Sequence, residues 1–135
     1  MNFWIVKTEP GTYSYQDLVK DGSTPWDGVR NYEARNNLKE MKQGDQVMVY
    51  HSVDQKEVVG IAEVSKEYFQ DPTTDDDRWV AVRLVPVREL EHPVPLATIK
   101  ADKALQDIKL VRQGRLSVIP IGKKDFDRIL KHAKP

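Results

Sequence analysis

Three consecutive segments rich in β-forming residues dominate the centre of this chain, and they constrain its fold more than any other feature. They cover Gln46 to Ser52, Glu57 to Phe69 and Arg78 to Leu90. Only Val53 to Lys56 separates the first two, which is the length of a hairpin connection. Segments with helical patterns lie before and after these strands. This order predicts an α+β domain around a mostly antiparallel sheet that curls into a small barrel.

The flanking elements are predicted from capping and turn residues. Ser14 begins a capping-box pattern, so a short helix should run through Val19 and stop at Asp21-Gly22. Asn31 can cap a second helix that continues to about Met41. The other predicted elements are a strand from Asn2 to Lys7, a short helix around Ala97 to Lys100 after the strand-ending Pro93 and Pro95, a strand from Ser117 to Ile121 and an amphipathic helix from Lys123 to His132.

The composition is that of one ordinary globular domain spanning residues 1–135. Hydrophobic residues make up 39% of the chain and charged residues 31%, which suits a water-soluble protein with a single core. No apolar run approaches the roughly 20 residues needed to cross a bilayer, so no membrane partner is predicted. Cysteine is absent, which excludes disulfides and cysteine-based zinc sites. A cytoplasmic location fits these properties best.

The charges balance overall but are segregated along the chain. A formal net charge of zero argues against a protein that coats nucleic acid by bulk electrostatics. However, Ile108 to Lys124 carries only basic charges, and Gln70 to Asp77 carries only acidic ones. Within the basic stretch, Arg112-Gln113-Gly114-Arg115 sets two guanidinium groups and a carboxamide around a glycine. This pattern indicates either contact with an anion or nucleic acid, or a solvated basic loop.

The three histidines do not indicate a metal site or a catalytic dyad. His51, His92 and His132 are far apart in sequence, and none has a second histidine or a carboxylate at ligand spacing. His51 and Ser52 are adjacent on a predicted strand, so their side chains should point to opposite faces. No metal and no cofactor are therefore predicted.

The window from Trp26 to Asn36 is the strongest candidate for a binding surface. It combines two aromatic rings, two arginines and two asparagines, a mixture that builds neither a clean strand nor a good amphipathic helix. A flat ring beside guanidinium and carboxamide donors suits a planar, hydrogen-bonding ligand such as a nucleobase. Trp26 is predicted to lie in a loop, where it either serves this ligand or covers the end of the barrel. Trp4 and Trp79, which have aliphatic neighbours, are predicted to pack in the core.

Five blocks of the chain resemble the EVE domain family, in the order in which that family has them. The blocks are Trp4 to Pro10, Trp26 to Asn37, Tyr50 to Ser52, Val59 to Ala62 and Leu110 to Val118. Together they cover nearly the whole chain, which is similar to stand-alone bacterial members. The resemblance implies a PUA-like fold, which is a mostly antiparallel β pseudobarrel flanked by short helices. It also implies kinship with the YTH and ASCH domains.

The same resemblance implies a function and a set of ligand-binding residues. EVE domains are regarded as readers of modified cytosine in DNA, or of modified RNA, so the expected partner is nucleic acid carrying a modified base. By motif, Trp26 would be the stacking wall for a flipped base, with Val29 and Asn31 near the base edge. The other implied residues are Lys7, Tyr50, His51 and Ser52 as floor and side, Trp79 as a second aromatic wall, and Arg112, Gln113, Arg115 and Ser117 at the backbone or the base edge.

Two other functions stay open at this level. Some ASCH-type relatives hydrolyse a modified nucleoside, and Lys7-Thr8-Glu9 could supply a lysine, a hydroxyl and an acid. Because consecutive strand residues alternate between faces, only Lys7 and Glu9 could converge, so a non-enzymatic function is favoured. The third possibility is a protein-interaction module with a vestigial pocket. The chain also departs from many relatives in its short Gln70 to Asp77 loop, which implies a more open pocket.

Overall fold

Six strands form one continuous sheet in residues 1–134, which are the residues that the computed structural model describes. The strands are β1 (Phe3–Thr8), β2 (Thr24–Trp26), β3 (Gln46–His51), β4 (Glu57–Gln70), β5 (Val80–Pro95) and β6 (Val118–Ile121). Their order across the sheet is β2-β5-β4-β3-β1-β6. All neighbours are antiparallel except β1 and β3, which run parallel. The predicted mostly antiparallel sheet is confirmed.

Short helices surround the sheet, and the sequence predicts all of them except the helix Lys109–Arg112 and the 3₁₀ turn Lys103–Leu105. They are α1 (Tyr15–Asp21), α2 (Tyr32–Glu40), α3 (Leu96–Ala101), α4 (Lys109–Arg112) and α5 (Lys123–His132), with a 3₁₀ turn at Lys103–Leu105. The Ser14 capping box is present, and Gly22 ends α1 in the left-handed conformation. Asn31 caps α2. No helix among the described residues is long and apolar enough to cross a membrane.

The structure corrects three local predictions. Trp26 belongs to β2, where it pairs with Val82, and does not lie in a loop. Trp79 precedes β5 and is only half-buried, because its backbone closes the loop that begins at Asp71. Pro93 and Pro95 do not end β5, which continues to Pro95. This part of β5 pairs with β4 on one side and has no neighbouring strand on the other. A proline is tolerated there because its missing N–H falls on the unpaired edge.

A buried carboxylate ties the start of β1 to the start of β3. Asp45 is 2% exposed and accepts three hydrogen bonds. The donors are the backbone N–H of Asn2, the Trp4 indole N–H and the backbone N–H of Lys42, each at 3.0 Å. Trp4 is buried, as predicted. This network anchors the start of β1. Lys7 lies near the other end of the same strand.

Helix α2 covers the open side of the pseudobarrel. The sheet does not close, because its edge strands β2 and β6 do not pair with each other. Helix α2 packs against both β5 and β6 and buries Ala34 and Leu38 completely. The Asn37 side chain donates to the Val118 carbonyl at 2.7 Å, which satisfies the free edge of β6. The remaining gap, at the ends of β1 and β2, opens into a cavity.

Candidate functional site

A cavity lies where β1, β2 and the residue before β6 meet. Its volume is about 770 Å³, which is the size of a site for a nucleoside-sized ligand. The walls combine aromatic, hydroxyl, amide and charged groups. They are formed by Lys7, Thr8, Thr12, Tyr13, Thr24, Pro25, Trp26, Asp27, Gly28, Val29, Arg30, Asn31 and Ser117. Five of the residues expected to bind ligand therefore share one cavity: Lys7, Trp26, Val29, Asn31 and Ser117.

An aromatic pair forms one wall of the cavity. Trp26 and Tyr13 meet edge to face, with ring centroids 6.2 Å apart and an interplanar angle of 83°. Trp26 is only 8% exposed, so it offers the cavity a limited part of its ring. Tyr13 is held in place because its hydroxyl donates to the Asp21 carboxylate at 2.8 Å. A planar ligand must therefore enter the cavity to reach the indole, which is not a platform on the outer surface.

Asn31 has both a structural role and a free donor. Its side-chain oxygen accepts the Ala34 backbone N–H at 2.9 Å, which caps α2. Within residues 1–134 no acceptor takes its side-chain NH₂ group, which thus remains available to a ligand in the cavity. The cap fixes the position of this amide without using its donor. Asn31 also lines a smaller depression of about 320 Å³ beside the cavity.

Lys7 joins β1 to the segment that precedes β6. Its ammonium donates to the Gly114 carbonyl at 2.7 Å, and its backbone N–H donates to the Ser117 carbonyl at 3.0 Å. Burial lowers the pKa of the Lys7 ammonium. The lysine therefore carries a partly desolvated positive charge at the cavity and fixes the 114–117 segment at its edge.

Asp71 holds the loop after β2 in place. Its buried carboxylate accepts the Gly28 backbone N–H and the Arg30 guanidinium at 2.9 Å each, and the Thr73 hydroxyl at 2.5 Å. Burial disfavours ionisation of this carboxyl, but the hydrogen bonds from Thr73, Arg30 and Gly28 outweigh that effect and lower its pKa to about 2. Gly28 has a φ of +77°, a conformation that favours glycine.

Sequence reasoning missed this role of Asp71. The Asp71-Pro72-Thr73 pattern is typical of a turn in which the aspartate caps the backbone two residues later, and that bond is present at 2.7 Å. The bonds to Gly28 and Arg30, however, span 43 and 41 residues of sequence. Nothing local predicts such a pairing. The sequence predicts Gln70 to Asp77 only as a short acidic loop, yet one of its carboxylates supports the cavity wall.

The structure places Tyr50, His51 and Ser52 outside the cavity lining. Tyr50 pairs with Lys7 across β1 and β3, so it lies one strand further from the gap, and its ring centroid lies 5.7 Å from the Lys7 ammonium. The His51 ring accepts the Tyr15 backbone N–H at 3.0 Å, and its other nitrogen contacts Gln55 at 2.7 Å. Ser52 only extends the pairing with Thr8 through its backbone. The motif that these three residues form therefore supports the fold next to the site.

Trp79 also lies outside the cavity, in a surface cluster with Tyr32. The two ring centroids are 5.2 Å apart, and the Arg30 guanidinium lies 5.6 Å from the Trp79 centroid. The expectation that Trp79 and Trp26 form two walls of one pocket is thus not met. The physical reason is the start of β5 at Val80, which leaves Trp79 in the loop over α2.

The basic segment before β6 divides between two places. Ser117 lines the cavity, whereas Gln113 and Arg115 line the smaller depression that shares Asn31 with it. Arg112 points elsewhere and is paired with Asp107 at 2.6 Å. Arg115 has no acidic partner among the described residues and is exposed. The free cation closest to the candidate site along this segment is therefore Arg115.

The hydroxyl of Thr8 is not arranged as a nucleophile. Thr8 lines the cavity beside Lys7, but its hydroxyl donates to the Tyr13 carbonyl at 2.6 Å, and the Lys7 ammonium donates to Gly114. A nucleophilic hydroxyl needs a base within hydrogen-bond reach, and the pair lacks that bond. Among residues 1–134, no group of three or more His, Asp or Glu side chains is placed to hold a metal ion. The Thr8 hydroxyl is therefore engaged by a backbone carbonyl and not by a base.

Comparison with known proteins assigns the family. Residues 2–132 match the EVE domain. The chain belongs to the EVE family. Mouse thymocyte nuclear protein 1 is 34% identical to this EVE chain in an alignment 163 residues long. The alignment covers 96% of the chain and 72% of the mouse protein.

Two solved structures place the EVE chain among PUA-like folds. One is the crystal structure of human THYN1 protein in complex with 5-methylcytosine-containing DNA, with a TM-score of 0.90 and 31% identity. It covers 100% of this chain and 99% of the human one. The other is the ASCH protein of Zymomonas mobilis, with a TM-score of 0.60 and 10% identity, covering 96% of this chain and 94% of that protein. The second likeness is one of fold alone. The PUA-like α+β fold implied by the EVE resemblance is confirmed.

Proposed function

We propose that this EVE chain binds nucleic acid and recognises a modified base, of the 5-methylcytosine class, flipped into the cavity beside Trp26. The observation that carries the proposal is the cavity itself, which combines an aromatic wall with fixed donors at Asn31 and Lys7. The structure of human THYN1 protein with 5-methylcytosine-containing DNA also supports it, because that protein is similar to this chain in sequence and fold. Three expectations stay predictions. They are a cytoplasmic location, a bacterial-type member of the family, and modified RNA in place of modified DNA as the bound nucleic acid.

The energetics assign different tasks to the base and the backbone. Flipping a base costs a few kcal/mol, and stacking on an aromatic side chain returns about 1–3 kcal/mol. These terms roughly cancel, so phosphate contacts must supply much of the net affinity. Burial of a methyl group adds about 0.8 kcal/mol, which corresponds to about fourfold in affinity. The methyl group alone therefore gives only modest selectivity for a modified base.

The test of the base pocket is a titration of oligonucleotides that differ only in one cytosine modification, followed by fluorescence anisotropy. We expect Trp26→Leu, which keeps apolar volume but removes the flat ring, to weaken binding of the modified oligonucleotide about tenfold. Tyr68→Ala is the matched control, because Tyr68 is an exposed aromatic outside the cavity. Equal affinity of the wild type for all oligonucleotides, unchanged in Trp26→Leu, would overturn the proposal.

Arg115 provides a separate test of the backbone contact. We expect Arg115→Ala to weaken binding of modified and unmodified oligonucleotides by the same factor. It should also reduce the slope of log K against log salt concentration by about one, because one phosphate contact is lost. Arg88→Ala, which removes an exposed arginine from the middle of β5 that lines neither the cavity nor the smaller depression, should leave the slope unchanged. A loss confined to the modified oligonucleotide would contradict this assignment.

The geometry disfavours an ASCH-like hydrolase as the second candidate. The Thr8 hydroxyl donates to a backbone carbonyl, and no contact with a base activates it. A binding function uses the same residues without requiring such activation. Turnover of acylated or alkylated nucleosides, lost in Thr8→Ala, would reverse this preference.

A further inference from the structure

A cavity that reads 5-methylcytosine must also reject thymine. The two bases carry the same methyl group on the same ring position and stack equally well on an aromatic side chain. They differ at position 4, where cytosine has an amino donor and thymine has a carbonyl acceptor, and at N3, which is an acceptor in cytosine and carries a hydrogen in thymine. Stacking on Trp26 and burial of the methyl group therefore cannot separate them. An acceptor in the cavity that is aimed at position 4 separates the two bases, because it pairs with the amino group of cytosine and faces the carbonyl of thymine.

Asp27 is the only acidic residue among the described residues that line the cavity. It is half-buried between Trp26 and Gly28, and no other residue within 1–134 donates a hydrogen bond to its carboxylate. Burial, and then the charge of nearby Asp71, raise the pKa of Asp27. A carboxylate in this state gains from a new N–H donor more than an exposed one does.

The loop geometry keeps the carboxylate of Asp27 free. Arg30, which also lines the cavity, is paired with Asp71 at 2.9 Å and makes no hydrogen bond to Asp27, although its charge offsets part of the effect of burial on the Asp27 pKa. The Gly28 backbone N–H is bound to the same Asp71 carboxylate, which fixes the chain directly after Asp27. The acceptor is thus held in position on one side of the cavity without a partner of its own.

We infer that Asp27 distinguishes cytosine from thymine in this cavity by accepting a hydrogen bond from the 4-amino group. The inference rests on the proposed function of the same site. The free NH₂ of Asn31 and the Lys7 ammonium are then the donors for the two acceptors of cytosine, which are the ring nitrogen N3 and the carbonyl oxygen O2. A thymine in the same position sets its 4-carbonyl against the carboxylate, and the two acceptors repel each other. Every cytosine modified at position 5 keeps the amino group, so all of them satisfy Asp27.

The experiment compares four oligonucleotides that are identical except for cytosine, 5-methylcytosine, uracil or thymine at one position. For the wild type we expect 5-methylcytosine to bind about tenfold or more tightly than thymine, and cytosine to exceed uracil by the same factor. In Asp27→Asn the side-chain amide offers a donor as well as an acceptor. Both ratios should then fall to about twofold, mainly because thymine and uracil bind better. Asp75→Asn, which changes an exposed carboxylate in another loop, is the matched control and should keep both ratios.

The outcomes separate this inference from the proposed function. If the wild type binds no oligonucleotide, or binds all four equally and independently of Trp26, both ideas fail. If it binds 5-methylcytosine through Trp26 but Asp27→Asn keeps the full discrimination against thymine, only the role of Asp27 fails. Asp27→Ala provides a second variant, for which thymine discrimination should also disappear while affinity for 5-methylcytosine drops. Thermal unfolding of each variant checks that the fold is intact.

Discussion

Replacing Asp45 with alanine is expected to lower the free energy of unfolding by about 3–5 kcal/mol. The variant removes the acceptor of three hydrogen bonds, from the Asn2 backbone, the Trp4 indole and the Lys42 backbone. A buried donor left without an acceptor costs about 1–3 kcal/mol, and the three costs are not fully additive. Urea denaturation followed by tryptophan fluorescence measures the change.

The matched control for this prediction is Asp77→Ala, which removes an exposed carboxylate from the loop before β5. It should change the free energy of unfolding by less than about 0.5 kcal/mol. A loss in Asp45→Ala as small as in the control would show that the three donors find other acceptors. The consequence for function is indirect, because Asp45 anchors the strand that carries Lys7 to the cavity.

Asp71→Asn is expected to weaken both the fold and the binding of nucleic acid. The free energy of unfolding should fall by about 2–3 kcal/mol near neutral pH, because the amide cannot accept all of the bonds from Gly28, Arg30 and Thr73. Binding of a modified oligonucleotide should fall tenfold or more, since the loop that carries Asp27 to Asn31 loses its support. Denaturation and anisotropy titrations on the same protein preparation measure the two effects.

The stability effect of Asp71 should depend on pH in a defined direction. Its pKa is about 2 in the folded protein and 3.8 without the fold, so the folded state favours the charged form. The stabilisation is therefore fully present above about pH 5 and disappears as pH falls towards 2. The difference in unfolding free energy between wild type and Asp71→Asn should shrink by about 2 kcal/mol between pH 5 and pH 2, where half of the Asp71 carboxyl groups in the folded protein are protonated.

Asp75→Asn is the control for both properties, since Asp75 is an exposed carboxylate in the same loop. It should track the wild type in stability and in binding across the pH range. A pH-independent gap between wild type and Asp71→Asn would contradict the ionic role of Asp71. Loss of stability without loss of binding would show that the 27–31 loop keeps its conformation without this anchor.

Elements with local signals were predictable from the sequence. The Ser14 capping box, the Asn31 cap and the helix from Lys123 to His132 depend on contacts within one or two turns, and all three are present as predicted. The central strands were predictable because their β-forming residues are contiguous. Strand β2 was missed because its three residues gain their extended conformation from pairing with β5, far along the chain.

The candidate site was only partly predictable for the same reason. Trp26, Val29 and Asn31 follow each other closely in sequence, so a local motif identified them together. Lys7 and Ser117 came from the EVE resemblance, and the structure brings them to the same cavity. Tyr50, His51 and Trp79 belong to equally recognisable motifs, yet none of them lines the cavity. Tyr50 and His51 lie on β3, one strand further from the gap, and Trp79 lies in the loop before β5. A motif reports that residues occur together and does not report which face of a strand they occupy.

The sequence by itself determined the family, the α+β class, the helix caps and the Trp26 to Asn31 segment as part of the candidate site. These properties follow from neighbouring residues and from ordered motifs. Only the tertiary structure decided that Asp71 holds this segment, that Asp27 is the acidic residue of the cavity, and that Arg112 and Trp79 lie outside it. The physical reason is that hydrogen bonds and charges act over a few ångströms, whatever the distance along the chain. The fold brings Gly28 and Asp71 together across 43 residues of sequence, and no local pattern contains that contact.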